Sequence, residues 1–243
     1  MEIICVKNYD DMSVKATSII ADHIKQHPQS TLGLATGSTP EGLYKRLIEK
    51  NQQKDFSFKE VTTFNLDEYV GLSKDDPNSY HYYMNNKLFA HIDIEPKNVH
   101  IPNGIAADQE QECQNYEDLI KKNKIDIQIL GIGLNGHIGF NEPGTPFSSR
   151  TQIVDLAEST IKANSRFFDK IEDVPTKAVT MGIETIMEAD KIILLVSGEQ
   201  KADTVERLIN GEVTESFPAS ILQKHSNVII IADEAALGKV EIK

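Results

Sequence analysis

Five short strand-like runs constrain this chain most: TLGLAT (Thr31–Thr36), VTTFNL (Val61–Leu66), IDIQIL (Ile125–Leu130), KIILLV (Lys191–Val196) and NVIIIA (Asn227–Ala232). KIILLV and NVIIIA are apolar almost without a break, so strands built from them need cover on both faces. Stretches at helical spacing separate the runs. Pro40–Gln53 places Leu43, Leu47 and Ile48 on one face, and Asp108–Lys122 does the same with Cys113, Tyr116 and Ile120. Ser79–Ala90 is helical and rich in aromatics, Ala157–Phe168 reads as helix, and a further helix follows KIILLV through about Ile209. Strands alternating with helices predict an α/β fold with a mostly parallel sheet and helices on both faces.

A chain of 243 residues, 40% hydrophobic and 26% charged, suits one large domain. No long Pro/Gly/Ser linker, internal repeat or low-complexity segment divides it, and regular structure is expected from about residue 30. The segment 144–177 is the least regular and most polar, either a small lid or a surface excursion. The formal charge of -12 opposes general binding to nucleic acid or anionic membranes, so an anionic substrate needs a local positive pocket. Cys5 and Cys113 stand in no metal-ligand spacing and are expected to stay reduced in a cytoplasmic protein. The N-terminal MEIICVKNYDDMS lacks the marks of a signal peptide, and no apolar run approaches the roughly 20 residues that span a bilayer.

Loops after three of the strands carry the candidate chemistry. TLGLAT runs into Gly37, Ser38, Thr39 and Pro40, a small-residue turn before a helix. Free N–H groups and the positive end of the helix dipole favour an anion such as phosphate there. Ser38 and Thr39 also suit an ordinary N-cap, with Pro40 at the first helical position. The ending is neither a P-loop nor GxGxxG, so a dinucleotide is not expected. VTTFNL runs into Asp67 and Glu68; two acids there are not expected both to face the core, and either could reach a cleft as a general base. IDIQIL ends in GIGLNGHIGFNEP, where His137 lies among Gly131, Gly133, Gly136 and Gly139, with Asn135 and Glu142 near it. Either neighbour could hydrogen-bond a ring nitrogen and fix the tautomer of a catalytic imidazole. Arg166 and Lys201 are cations that could complete an anion site. His100 and His225 lie in no metal-like pattern, and no metal site is expected.

The stretches TGSTPEGLY, FNLDEYVGL, DDPNSYHYYM, GIGLNGHIGFNEPGT, ANSRFF and SGEQKA occur in this order. Together they resemble the glucosamine-6-phosphate deaminase family over essentially the whole chain. The resemblance implies a Rossmann-like fold. It also implies conversion of D-glucosamine 6-phosphate and water to D-fructose 6-phosphate and ammonia, by an enzyme of the hydrolase class with no cofactor. Asp67 then matches the base that moves a proton from C2 to C1 through an enolamine. His137 matches the group that opens the pyranose ring, with Asn135 and Glu142 supporting it. Gly37, Ser38 and Thr39, with Arg166 and Lys201, match the phosphate site.

Some positions depart from parts of the family. Asn135 is Asp in some members, and an amide cannot stabilise an imidazolium by charge. Allosterically regulated members carry a basic pair where this chain has Gln152 and Val154, and the chain stops at Lys243, earlier than the regulated hexamers. No activation by N-acetylglucosamine 6-phosphate is therefore expected, and the assembly is expected to be a monomer or small homo-oligomer. The nearest rival enzyme is a 6-phosphogluconolactonase, which resembles the same fold; the FNEP continuation and NLDEY favour the deaminase. A non-catalytic sugar-phosphate sensor would need a DNA-binding module and could dispense with Asp67, His137 and Glu142.

Overall fold

The computed structural model describes residues 1–157, 161, 162, 165, 168, 170 and 174–241. Among these, seven strands form a parallel sheet: β1 (Glu2–Val6), β2 (Thr31–Leu34), β3 (Thr62–Asn65), β5 (Val99–His100), β6 (Ile127–Leu130), β9 (Lys191–Val196) and β10 (Val228–Asp233). Their order is β1-β10-β9-β6-β2-β3-β5. From β2 the chain builds outward through β3 to β5, then returns to the other side of β2 for β6, β9 and β10. The order therefore reverses between β2 and β6. The carboxyl ends of strands at such a reversal are where open α/β sheets leave a ligand crevice.

The apolar runs serve two cores at once. Ile193, Leu195, Ile229 and Ile231 pack with Met12, Ile20 and Ile24 of α1 (Tyr9–Gln26) and with Leu43 and Leu47 of α2 (Glu41–Gln52). Met84 of α3 (Tyr80–Lys87) joins that layer. On the opposite face Ile192, Leu194 and Ile230 pack with Tyr116 and Ile120 of α4 (Gln109–Asn123) and with Val205 and Leu208 of the helix Ala202–Asn210. Helices thus cover both faces, as the apolar strands require.

Regular structure begins well before residue 30. β1 pairs in parallel with β10, Cys5 opposite Ala232, and α1 follows, with the Asn8 side chain accepting the Asp11 N–H at its start. Both were hidden in the sequence by dilution. β1 is a half-exposed edge strand, and α1 buries Ser13, Ala16, Thr17 and Ala21 beside its larger apolar residues. A second, antiparallel sheet was not foreseen either. It joins β4 (Asp67–Tyr69), β8 (Lys177–Thr180) and β7 (Gln152–Asp155) in the order β4-β8-β7. The segment 144–177 is thus not wholly irregular, since β7 lies inside it. The helix expected over Ala157–Phe168 falls mostly outside the described residues.

One buried acid ties the two sheets' surroundings together. Glu117 of α4 accepts the Thr151 N–H at 3.2 Å, the Thr151 hydroxyl at 2.7 Å and the Thr185 hydroxyl at 2.9 Å, and pairs with Arg150 at 3.1 Å. Arg150 also reaches Glu184 and Glu188. A buried carboxylate with these partners fixes the start of β7 against α4, and its loss leaves buried donors unmet. Glu117→Ala is expected to destabilise the fold by about 3 kcal/mol, read as a lower urea midpoint.

Candidate active site

The turn after β2 is held from outside by two tyrosines. The Tyr9 hydroxyl donates to Ser38 O at 2.9 Å and accepts the Gly42 N–H at 2.8 Å, while the Tyr83 hydroxyl donates to Gly37 O at 2.5 Å. Gly37 has φ +94°, a left-handed value that glycine adopts without strain. Among the described residues no acceptor meets the N–H groups of Gly37, Ser38 and Thr39, and these residues are exposed or half-exposed. Neither Ser38 nor Thr39 caps α2 through its side chain. Pro40 occupies the cap position, and Glu41 N reaches Ser38 O at 3.4 Å. The carbonyls are engaged behind the turn and the amides are left for a ligand, the polarity an anion requires.

The two acids after β3 are both buried, contrary to expectation. Asp67 is 6% exposed and Glu68 is fully enclosed. The structure permits this because β4 gives them opposite faces and different partners. Glu68 is saturated: it accepts the N–H groups of Tyr69, Tyr80 and His81 at 2.8–2.9 Å and faces His81 Nδ1 at 2.8 Å. Asp67 is the reverse case. Among the described residues no donor hydrogen-bonds to its carboxyl. Burial, and then the neighbouring Glu68 charge, push it up to about 8 from the ordinary 3.8. A desolvated carboxyl with no internal partner can serve as a strong base once ionised. Alternation along the strand could not choose between these two acids; their hydrogen-bond partners do.

The loop after β6 is folded back on itself. Gly133 N donates to His137 O at 2.9 Å, and a Cβ on Gly133 would stand 2.3 Å from His137 Cε1. The imidazole therefore lies flat on a position only glycine can fill. His137 Nδ1 is 3.4 Å from Glu142 Oε1, an ion-pair contact rather than an aligned hydrogen bond, and is shielded from water. Asn135 does not reach the ring. Its Nδ2 donates to Glu142 Oε2 at 2.6 Å, and its Oδ1 accepts the His137 N–H at 3.2 Å. Asn135 thus braces both the carboxylate and the histidine backbone. The His137 ring holds the Glu142 carboxyl below its ordinary range, against the opposing effect of burial, with Asn135 adding in the same direction.

The loops meet. A Cβ on Gly139 would lie 3.6 Å from Asp67 Oδ2 and 3.1 Å from Thr180 Oγ1, so the His137 loop passes directly over the Asp67 carboxyl. Thr180 stands opposite Asp67 in the β4–β8 pair and accepts the Phe140 N–H at 3.2 Å, which ties that loop to the small sheet. Phe140 stacks on Tyr80 at 6.2 Å and lies 5.8 Å from Tyr69, forming an aromatic wall near Asp67. These aromatics and Tyr9 were not picked out in the sequence, although the cluster SYHYYM was a signal.

Lys201 follows β9, next to β6 in the sheet, and its Nζ donates to Ile132 O at 2.6 Å in the His137 loop. Burial lowers its pKa. The turn before it is fixed by Asp233 at the end of β10, which accepts the Ser197 hydroxyl at 2.5 Å and the Gly198 N–H at 3.0 Å. The loops after β3, β2, β6 and β9 therefore stand side by side along one sheet edge. Arg166 lies outside the described residues. Among those described, no three His, Cys, Asp or Glu side chains are grouped to hold a metal ion, and no helix is long and apolar enough to cross a membrane.

The sequence and the fold are shared with known proteins. Residues 8–231 match the family described as glucosamine-6-phosphate isomerases/6-phosphogluconolactonase. A glucosamine-6-phosphate deaminase of Oceanobacillus iheyensis is 60% identical over 99% of this chain and 96% of its own length. Glucosamine-6-phosphate deaminase 1 of Bacillus subtilis is 53% identical over 97% of this chain and 98% of its own. The solved structure of a monomeric glucosamine-6-phosphate deaminase superposes with a TM-score of 0.95 at 52% identity, covering 98% of this chain and 100% of that one. A 6-phosphogluconolactonase of Trypanosoma brucei has a TM-score of 0.81 but 18% identity over 99% of this chain and 98% of its own, a likeness of fold alone. With a Rossmann-like parallel sheet, and with the family's pattern running through almost its whole length, the chain belongs to the glucosamine-6-phosphate isomerase/6-phosphogluconolactonase family.

Proposed function

We propose that this protein is a glucosamine-6-phosphate deaminase, converting D-glucosamine 6-phosphate and water to D-fructose 6-phosphate and ammonia. The observation that carries the reading is Asp67: a buried carboxyl with no hydrogen-bond donor among the described residues, set against the His137 loop at the crevice. The 60% identity to a deaminase favours this substrate over a lactone, for which the likeness is of fold only. Moving the proton is an isomerisation, in keeping with the family's description. The hydrolase label describes the accompanying uptake of water and release of ammonia.

In this reading the sugar phosphate is anchored by the free amides of Gly37, Ser38 and Thr39, with Lys201 and Arg166 supplying positive charge. The phosphate is remote from the reacting carbons, so its binding energy serves to position them. His137 accepts the O1 proton and serves O5 as the ring opens, a task for a group that exchanges protons near neutrality. Glu142, braced by Asn135, supplies the charge that steadies the imidazolium. Asp67 then takes the weakly acidic C2 proton, which demands a carboxylate held close and partly desolvated. We further infer a cytoplasmic monomer or small homo-oligomer working without metal or organic cofactor, with 144–177 as its lid. Likeness to a monomeric deaminase supports the small assembly.

Asp67→Asn should cut ammonia release by about 10³-fold or more while leaving sugar-phosphate binding nearly intact; substantial turnover in the variant would defeat the assignment. The raised pKa adds a direction. The folded chain keeps the Asp67 proton that the unfolded chain releases above the ordinary 3.8, so stability is lost as pH climbs from there to about 8. Asp67→Asn should therefore be more stable than wild type at pH ~9, on the order of a few kcal/mol, with the gap closing toward pH ~4. Over the same range wild-type kcat/KM should rise as the base ionises. His137→Gln should slow the cyclic substrate more than an open-chain analogue, and equal losses on both would argue against ring opening. With Gln152 and Val154 in place of a basic pair, N-acetylglucosamine 6-phosphate should leave a hyperbolic rate curve unchanged. A sigmoidal curve relieved by that ligand would contradict this.

A further inference from the structure

The roles so far leave Glu68 without a task, although it is the most enclosed acid beside the proposed base. Its side chain is 1% exposed and every strong contact it makes leads to the start of α3 or its own strand. Ser79 caps α3 by accepting the Tyr82 N–H at 3.0 Å. The two preceding N–H groups, of Tyr80 and His81, go to Glu68 at 2.9 Å each, and the His81 ring closes on it at 2.8 Å. A carboxylate at a helix N-terminus is favoured by both the free donors and the dipole.

What that helix carries gives the contact its meaning. The Tyr80 ring lies 4.7 Å from that of Tyr69, donates its hydroxyl to Tyr69 Oη at 3.2 Å, and stacks on Phe140 of the His137 loop. One helical turn on, Tyr83 donates to Gly37 O in the anion turn. Strand β4, the His137 loop and the Gly37 turn therefore converge on one short helix, and Glu68 fastens its first turn to the strand that bears Asp67.

We propose that Glu68 is a positioning residue of this site: by binding the Tyr80 and His81 N–H groups and the His81 ring, it locks α3 to β4 and so holds the aromatic wall beside Asp67 and the Gly37 turn in register with it. The proposal rests on the reading of Asp67 as the base. It also has an electrostatic consequence, because Glu68 is the adjacent acid. Among the described residues, the titratable groups that act on Asp67 or feel its charge are Glu68 and Tyr69 on its own strand, Tyr80 on α3 and Tyr116 on α4, while the loop above carries His137 and Glu142, paired with each other. His81 is paired with Glu68, and Lys177 of β8 is paired with Asp155. Glu68 is the like charge that, after burial, makes Asp67 harder to ionise and so a stronger base.

Two variants of the full chain test this. In Glu68→Gln, the midpoint of a ¹³C titration of the Asp67 carboxyl in the ligand-free protein should shift down. The rise of kcat/KM with pH should move with it. In Tyr83→Phe, which keeps Glu68 and removes the bond to Gly37, KM for glucosamine 6-phosphate should rise several-fold with kcat nearly constant and the Asp67 midpoint in place. An unmoved Asp67 midpoint in Glu68→Gln, with activity falling only in proportion to the folded fraction, overturns the proposal. So does an unchanged KM in Tyr83→Phe, which decides the matter if Glu68→Gln fails to fold. The titration needs no substrate, so it stands apart from the functional reading, which falls instead if the wild-type chain releases no ammonia from glucosamine 6-phosphate.

Discussion

The reversal of strand order beside β2 is the constraint on which the rest depends. Because β3 lies on one side of β2 and β6 on the other, the chain leaves adjacent strands in different directions, and a crevice opens at their carboxyl ends. Every loop with candidate chemistry starts there: the Gly37 turn from β2, Asp67 beyond β3, His137 beyond β6 and Lys201 beyond β9. The two-sided apolar cores fix the strands, and the strands fix where the loops begin. Chemistry is left to short segments whose own geometry is decided by a few hydrogen bonds.

Those bonds sort the polar groups by whether they are satisfied. Glu68 and Glu117 are buried acids met by several donors each, and they hold elements together. Asp67 is also buried and, among the described residues, has no such donor, a costly state unless the group stays protonated. The same contrast separates the anion turn, whose carbonyls are held by Tyr9 and Tyr83 while its amides face outward. Structural groups are spent on the protein itself, and the groups left over mark the crevice.

The sequence made the sheet interior legible because buried parallel strands are written as near-continuous apolar runs. β9 is observed over the residues the run KIILLV defines, and β10 is shifted by one residue from NVIIIA. β1 and α1 escaped because an edge strand and a helix padded with Ser, Thr and Ala carry weaker patterns. The small sheet escaped because its strands are three or four residues long and pair far apart in the chain, which no local period reports. In the site, loop composition revealed His137, Asn135 and Glu142 as a group, yet not that Asn135 serves the backbone and Glu142 rather than the ring. The choice between Asp67 and Glu68 was beyond any local rule. It depends on α3, whose first turn arrives more than ten residues later to claim one acid and leave the other.

Under the proposed function, a chain of net charge -12 has to bind a sugar phosphate against its own field. Backbone amides solve part of this problem, since they add positive potential without adding a side chain that other acids could neutralise. Lys201 is tied to the His137 loop by its contact to Ile132 O, and burial, which lowers its pKa, is offset when an anion binds beside it. The acids that could compete are bound elsewhere: Glu68 to α3, Glu142 to His137 and Asn135, and Asp233 to the Ser197–Gly198 turn. Asp67 remains, and while protonated it does not oppose an incoming anion. In the proposed reaction, a substrate ammonium on the carbon whose proton Asp67 takes would favour its ionisation, so the charge needed for abstraction would be favoured when there is a proton to abstract.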